Sequence, residues 1–315
     1  MPTPERDDSH DDDADFQRLR PLLFSIAYRM TGSVADAEDI VSEAFLRVQT
    51  SVDTAAVESM KAYLSTMVTR LSIDHLRSAR VRREQYVGFW LPEPIPGDAA
   101  PPDAAAHAEL SESLSVAFLV VLESLSPVER AVFLLHDVFD FSYREVSRVV
   151  DKTEDNSRQI ATRARKAVSA RRPRFEPSEE ERNRLADSFF RAIELGDVES
   201  LVDLLADDVI AYGDGGDRGP SFRRPFVGIV AVRRMLSAVS TVLTRFDLRI
   251  EPTLINRQPG ALVRDTEGKL LNVLTVDIVD GRIATVYSIL NPDKLRHLAP
   301  LIPETHPLRG GRRPR

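Results

Sequence analysis

Apolar residues recur along this chain with two periods, and the switch between them divides it. From Phe16 through Leu19, Leu22, Leu23, Ile26 and Ala27 the spacing is helical, which predicts a helix from near Asp15 to Thr31-Gly32. Ser33-Val34-Ala35-Asp36 is a capping signature for a second helix with the stripe Ala37, Ile40, Val41, Ala44, Phe45 and Val48. A third is predicted from about Met60 to Ala79, with Leu64, Met67, Val68 and Leu71 on one face. Thr66, Arg70, Arg77 and Arg80 fall on its opposite face. Ser126-Pro127-Val128-Glu129 and Ser142-Tyr143-Arg144-Glu145 each carry the reciprocal cap of a helix start. After a turn at Asp151-Lys152, Thr153 can cap the next helix.

Beyond Pro177 the character changes. Ser178 opens an amphipathic helix that buries Leu185, Phe189 and Ile193 and stops at Leu195-Gly196. Short helical patterns follow at Val198 to Leu205 and Ala231 to Leu243, separated by a loop after Gly213-Asp214-Gly215-Gly216. Strands are predicted at Phe246 to Glu251, Ala261 to Arg264, Leu270 to Val279 and Arg282 to Leu290, with a hairpin turn at Asp280-Gly281. Helices followed by an antiparallel sheet describe an α+β domain. The division expected is therefore a helical domain over 15–86, a proline-rich extended linker over 87–103, a second helical domain over 104–175 and the α+β domain over 178–300. Residues 1–14, with Asp7, Asp8, Asp11, Asp12 and Asp13, read as a disordered acidic tail, and residues 301–315 as a flexible basic one.

Composition narrows the function. The 315 residues carry a net charge of −7 and no cysteine. Indiscriminate binding to nucleic acid through a basic coat is excluded, so DNA contact must use local patches. Disulfides, thiolate metal sites and thiol nucleophiles are excluded as well. No apolar run reaches membrane-spanning length, and a soluble, cytoplasmic protein with no membrane partner is the expectation. The sharpest local patch follows Thr153. From Asn156 to Arg174 there are cations at Arg158, Arg163, Arg165, Lys166, Arg171, Arg172 and Arg174 and no acid. Two capped helices, a tight turn and a basic second helix form a helix-turn-helix, whose last helix fits the major groove of DNA. Arg158 and Gln159 near its start are assigned to base edges, with Thr162 beside them. Arg163, Arg165 and Lys166 are assigned to phosphates.

LFSIAYRMTGSVADAEDIVSEAFLRV (Leu23 to Val48), YLSTMVTRLSIDHLRSAR (Tyr63 to Arg80) and LSPVERAVFLLHDVFDFSYREVSRVV (Leu125 to Val150) with NSRQIATRAR (Asn156 to Arg165) together resemble a bacterial RNA polymerase sigma factor of the extracytoplasmic-function type. FFRAIELGDVESLVDLLADDVIAYGDGG (Phe189 to Gly216) resembles a SnoaL-like domain of the nuclear-transport-factor-two-like cone fold. WLPEP (Trp90 to Pro94) and NPDKL (Asn291 to Leu295) resemble the sigma subgroup that carries such a domain. The glycine loop departs from that subgroup at Asp217 and Arg218, and the helix-turn-helix corner has Asp151 where glycine is usual; Asp tolerates the left-handed conformation. The resemblance implies a multidomain fold of two all-α domains plus an α+β cone. It implies core RNA polymerase and promoter DNA as partners, and no cofactor. Lys61, Tyr63, Arg70, Asp74, Arg77 and Arg80 would handle the downstream promoter element as single strand. Asp36, Asp39 and Glu43 would meet polymerase. Tyr212, Asp214, Asp217, Asn291, Asp293 and Lys294 would form the pocket or contact surface of a regulatory domain, open to a small ligand of unknown identity. That domain would act in cis, with no separate anti-sigma factor required. Two other readings compete: a helix-turn-helix regulator that never docks on polymerase, and an isomerase or cyclase using Tyr212, Asp214, Asp265 or Asp277.

Overall fold

In the computed structural model the described residues are 9–51, 57, 59–84, 86, 88–97, 114–170, 178–216 and 224–309. They group into two compact units. The first holds the described residues up to Arg80 and those from Val121 to Ala170; the second holds the rest. Residues 88–97, within the segment expected as an extended linker, therefore belong with the C-terminal domain. The first helical domain and residues 121–170 of the second cluster in one unit, whereas Leu114–Val120, which includes most of the second domain's first described helix, belongs to the other.

In the first unit, α1 (Ser9–Thr31) and α2 (Val34–Ser51) pack along the expected stripes. Leu23, Ile26, Ala27, Met30, Ala37, Val41 and Ala44 are buried, and Phe16 stacks on Phe45 at 3.9 Å. Gly32 breaks α1 at a φ of 69°, and the Ser33 hydroxyl accepts the Asp36 N–H at 3.1 Å. α1 starts six residues before Asp15, inside the stretch expected to be disordered. α3 (Met60–Glu84) buries Leu64, Ser65, Val68, Thr69, Ser72, Ile73 and Leu76, a face rotated from the expected one. Hydroxyls can be buried there because Thr69 and Ser72 donate to the carbonyls of Ser65 and Val68, at 2.7 and 2.8 Å.

α4 (Val116–Leu122) leads to α5 (Pro127–Phe133), which continues as a π-helical turn over Leu134–Val138; α6 (Tyr143–Val150) and α7 (Glu154–Ser169) complete the helix-turn-helix. Both reciprocal caps form, Ser126 with Glu129 and Ser142 with Glu145, and Thr153 accepts the Asn156 N–H. Asp151 takes the left-handed conformation at φ 54°, ψ 57°, as its place in the corner required. A buried arginine, Arg130, donates to the carbonyls of Leu122 and Met30 at 3.1 and 2.6 Å and pairs with Glu123 at 2.8 Å.

The second unit is an α+β cone. α8 (Glu179–Leu195) starts at the Ser178–Glu181 capping box and ends at Gly196 with a φ of 70°. α9 (Val198–Leu204), β1 (Leu205–Asp214), β2 (Phe226–Val227) and α10 (Ile229–Arg245) follow. Then come β3 (Arg249–Ile255), β4 (Gln258–Arg264), β5 (Leu270–Val279), β6 (Arg282–Ile289) and α11 (Pro292–Leu295). The strand order is β2-β1-β6-β5-β4-β3. Neighbours run antiparallel except β1 and β6, which run parallel and correct the all-antiparallel expectation. β1 and β2 were not anticipated at all. One face of the sheet closes with Phe189, Phe190, Ile193, Val232, Leu236 and Leu243 into the main core. The other face gathers Tyr287, Ile289, Val273 and Leu270 with Leu91, Val116 and Leu295. Residues 301–309 are not a free tail: Ile302 is in the core, its N–H donates to Leu270, and buried Arg309 donates to the same carbonyl at 3.1 Å. Apolar Leu301 and Ile302 outweigh the flanking charge.

Candidate functional site

α7 presents its expected groups unevenly. Gln159, Thr162, Arg163 and Lys166 are exposed on one side, while Ser157, Ile160, Ala161, Ala164 and Val168 anchor the other. Arg158 pairs with Glu154 at 3.4 Å and lies over the Tyr143 ring, 4.7 Å from its centre. Arg165 is partly exposed and already bonded within the chain: it pairs with Asp137 at 2.5 Å and donates to the Tyr143 hydroxyl at 3.0 Å. Those bonds raise its pKa, with the Asp137 hydrogen bond the largest cause. In this state Arg165 also fixes α7 on the π turn. Tyr143, which holds both arginines, was missed; its place at the start of α6 was the only available signal.

The downstream group divides too. Lys61 is exposed and Tyr63 half-buried. Arg70 donates to the carbonyls of Arg148 and Val149 at 2.7 and 3.0 Å, where it caps the carboxyl end of α6 instead of facing an open groove. Asp74 and Arg77 pair with each other at 3.2 Å on an exposed face. The side chain of Arg80 lies outside the described residues. On α2, Asp39 is exposed, Asp36 pairs with His75 of α3 at 3.2 Å, and Glu43 pairs with Arg47 one turn on. The acidic face is real but partly compensated by its own helices.

The third constellation is buried. The Asp214 carboxylate, 1% exposed, receives the Lys294 ammonium at 2.6 Å, the Leu91 N–H at 2.8 Å, the Gly216 N–H at 3.2 Å and the Tyr86 hydroxyl. Lys294 also donates to the Leu91 carbonyl and sits 4.0 Å from the centre of the Trp90 ring. Asn291 donates to the Tyr86 hydroxyl at 2.8 Å and caps α11. Its amide lies 2.6 Å from where a side chain on Gly216 would begin, and Gly216 has a φ of 57°, so only glycine fits there. A second hold lies further along: the Asn256 carboxamide accepts the Ile95 N–H at 2.9 Å, the Ile95 carbonyl accepts the Asn256 N–H at 2.7 Å, and His297 meets the Pro94 carbonyl at 2.8 Å. Phe89 packs on Tyr212 with ring centres 4.2 Å apart. Thus Asp214, Asn291, Lys294 and Tyr212 converge on the Trp90 segment. Asp293 turns away to pair with Arg296, and Asp217 lies outside the described residues.

Residues 16–82 match the family model of Sigma-70 region 2, and residues 115–168 that of Sigma-70, region 4. Over 289 residues the chain is 37% identical to the ECF RNA polymerase sigma factor SigJ of Mycobacterium tuberculosis, spanning 89% of this chain and 92% of that one. The chain belongs to the ECF RNA polymerase sigma factors. The crystal structure of Mycobacterium tuberculosis SigJ matches with a TM-score of 0.71 at 33% identity, over 92% of this chain and 99% of that one. The probable ECF RNA polymerase sigma factor SigI of the same species is 28% identical over 284 residues, 88% of this chain and 92% of its own. As an ECF sigma factor the chain binds core RNA polymerase and promoter DNA and initiates transcription; it is not an enzyme.

Asp214 is fully engaged, Asp265 accepts the Glu267 and Lys269 N–H groups in a turn at 2.9 and 2.8 Å, and Asp277 lies on β5. None of the three borders the cavity inside the cone; of the four candidates only Tyr212 does. No helix among the described residues is long and apolar enough to cross a membrane. Sequence reasoning missed Tyr86, Leu91, Asn256 and Arg130. A lone tryptophan beside two prolines was the one signal that this stretch packs against something.

Proposed function

We propose that this sigma factor reads two-part promoters with α7 upstream and α3 downstream, and that its C-terminal domain restrains it in cis through the segment 88–95. Gln159 and Arg158 face bases, Thr162 lies beside them, and Arg163 and Lys166 meet phosphates. On α3, Lys61, Tyr63, Arg77 and Arg80 contact the opened strand with Asp74 orienting Arg77, and Arg70 joins them when its bonds to α6 are released. Asp36, Asp39 and Glu43 offer polymerase an acidic face. The restraint needs no separate anti-sigma factor, and the protein works in the cytoplasm.

The observation that carries the restraint is the buried Asp214–Lys294 pair closing on both the N–H and the C=O of Leu91. The segment lies between regions 2 and 4 in sequence. Clamping eight residues fixes the path of a segment that, free, can span up to about 27 Å in any direction between modules that must grip separate promoter elements. Initiation therefore requires the segment to leave the cone. Run-off transcription with purified core polymerase tests this. Lys294→Met is expected to raise promoter-dependent transcript several-fold over the unmodified chain at equal folded concentration. Unchanged or reduced output from a folded variant that still binds polymerase would reject restraint through this clamp.

A further inference from the structure

The face of the sheet opposite the Trp90 segment lines a cavity of about 520 Å³, within the range of small-molecule sites. Its walls are overwhelmingly aliphatic, with Leu236, Val239 and Leu243 from α10 facing Val263, Leu274 and Val286 of the sheet. Such a space gives apolar atoms partners that water cannot supply. Three polar side chains interrupt this lining on the strands, Tyr212 of β1, Asn272 of β5 and Ser288 of β6, and the last two are bonded to each other. Asn272 is buried, its amide donates to the Ser288 hydroxyl at 3.0 Å, and that hydroxyl lies 3.2 Å from the Asn272 carbonyl oxygen. An amide has two N–H donors and a carbonyl with two lone pairs, so the pair keeps at least one donor and one acceptor for a further partner. Burying an amide in an aliphatic wall is costly unless its bonds are completed.

We propose that this cavity binds a neutral, mostly apolar small molecule whose single carbonyl or hydroxyl group bonds to Asn272 and Ser288. Among the described residues no acidic side chain or histidine borders the cavity, which leaves a cation uncompensated. The one charged lining residue, Arg234, is exposed, so an anionic head would gain little from it. The cavity includes neither Asp214 nor Lys294, although Tyr212 borders it and also packs on Phe89 of the clamped segment, and its occupancy is measured without polymerase or DNA. Failure of the restraint reading and failure of this one are therefore distinguishable.

Nile red, a neutral apolar dye with a carbonyl, is the probe, titrated against the full chain by fluorescence. Saturable one-to-one binding is expected, displaced by undecan-2-one and far less by decanoate. Val239→Phe, which fills the cavity, is expected to lower dye affinity at least tenfold. Ala231→Leu, a smaller filling change on the same helix, gives the same direction if Val239→Phe fails to fold by circular dichroism. Asn272→Leu is expected to weaken undecan-2-one about tenfold, the loss of one hydrogen bond. Absence of saturable binding, or equal binding by a folded cavity-filled variant, would overturn the site. Displacement by decanoate in preference to the ketone, or a ketone affinity unmoved by Asn272→Leu, would overturn the ligand class.

Discussion

α7 and the Asp214 cluster use the same kinds of charged group for opposite purposes. On α7 the cations Arg163 and Lys166 stay in water, where they cost little and remain ready for phosphates. Around Asp214 a single lysine and a single carboxylate are taken out of water and surrounded by hydrogen bonds, an aromatic ring and backbone. Exposed charge supplies adjustable, salt-sensitive affinity, whereas buried charge enforces one geometry and penalises every alternative. Arg165 lies between these extremes: on the binding helix, yet already committed to Asp137.

Breaking the buried pair on one side gives the largest effect. Lys294→Ala leaves Asp214 without its cation and is expected to destabilise the C-terminal unit by about 3–5 kcal/mol in urea unfolding. The double change Asp214→Asn with Lys294→Met removes both charges and is expected to recover more than half of that loss. A loss from Lys294→Ala no larger than that of an ordinary surface substitution would erase the distinction between the two regions. On α7 the expected effect is on binding and not on folding. Arg163→Ala and Lys166→Ala should each reduce the salt slope of holoenzyme–promoter binding by about 1, with unfolding free energy within about 0.5 kcal/mol of the parent.

Arg165→Ala sharpens the comparison from the middle. Its ion pair is partly exposed and screened, so about 0.5–1 kcal/mol of stability should be lost, with a smaller change in salt slope than for Arg163→Ala. The smallest effect concerns acid. Glu129 and Glu145 have lowered pKa values, caused first by the hydrogen bonds from the Ser126 and Ser142 hydroxyls and then by those from the backbone. A carboxylate whose folded pKa is lowered stabilises the fold above its unfolded value, about 4.3, and loses that contribution as pH falls through the folded value. Glu145→Gln should therefore lower the melting temperature slightly at pH 7, and the gap from the parent should close below about pH 4. A gap that persists in acid would remove the capping carboxylate as its source.

The parts legible in the sequence are those that act over three or four residues. The capping boxes, the Gly196 stop, the Asp280-Gly281 hairpin and the left-handed Asp151 are local events, and each forms where its residues stand. β1 was missed because Asp207 and Asp208 interrupt its apolar alternation, and because its parallel partner β6 is supplied far along the chain. The β3–β4 hairpin escaped for a local reason: its turn is Asn256-Arg257, and arginine at a φ of 62° is not a turn signal. The bonds of Arg70 and Arg165 inside the chain were not legible, because a guanidinium reads the same in sequence whether it meets a phosphate, a carbonyl or a carboxylate of its own chain. Asp214, Asn291 and Lys294 were legible as candidates, but their partners Tyr86 and Leu91 were not. Only the folded cone brings those residues together.

Hydrogen exchange at the Leu91 amide tests the clamp most directly, because that N–H donates to the Asp214 carboxylate. In the free chain it should be strongly protected, and in the complex with core polymerase on promoter DNA it should exchange close to the rate of an unstructured amide. Equal protection in both states, or no protection in the free chain, would contradict restraint by the cone.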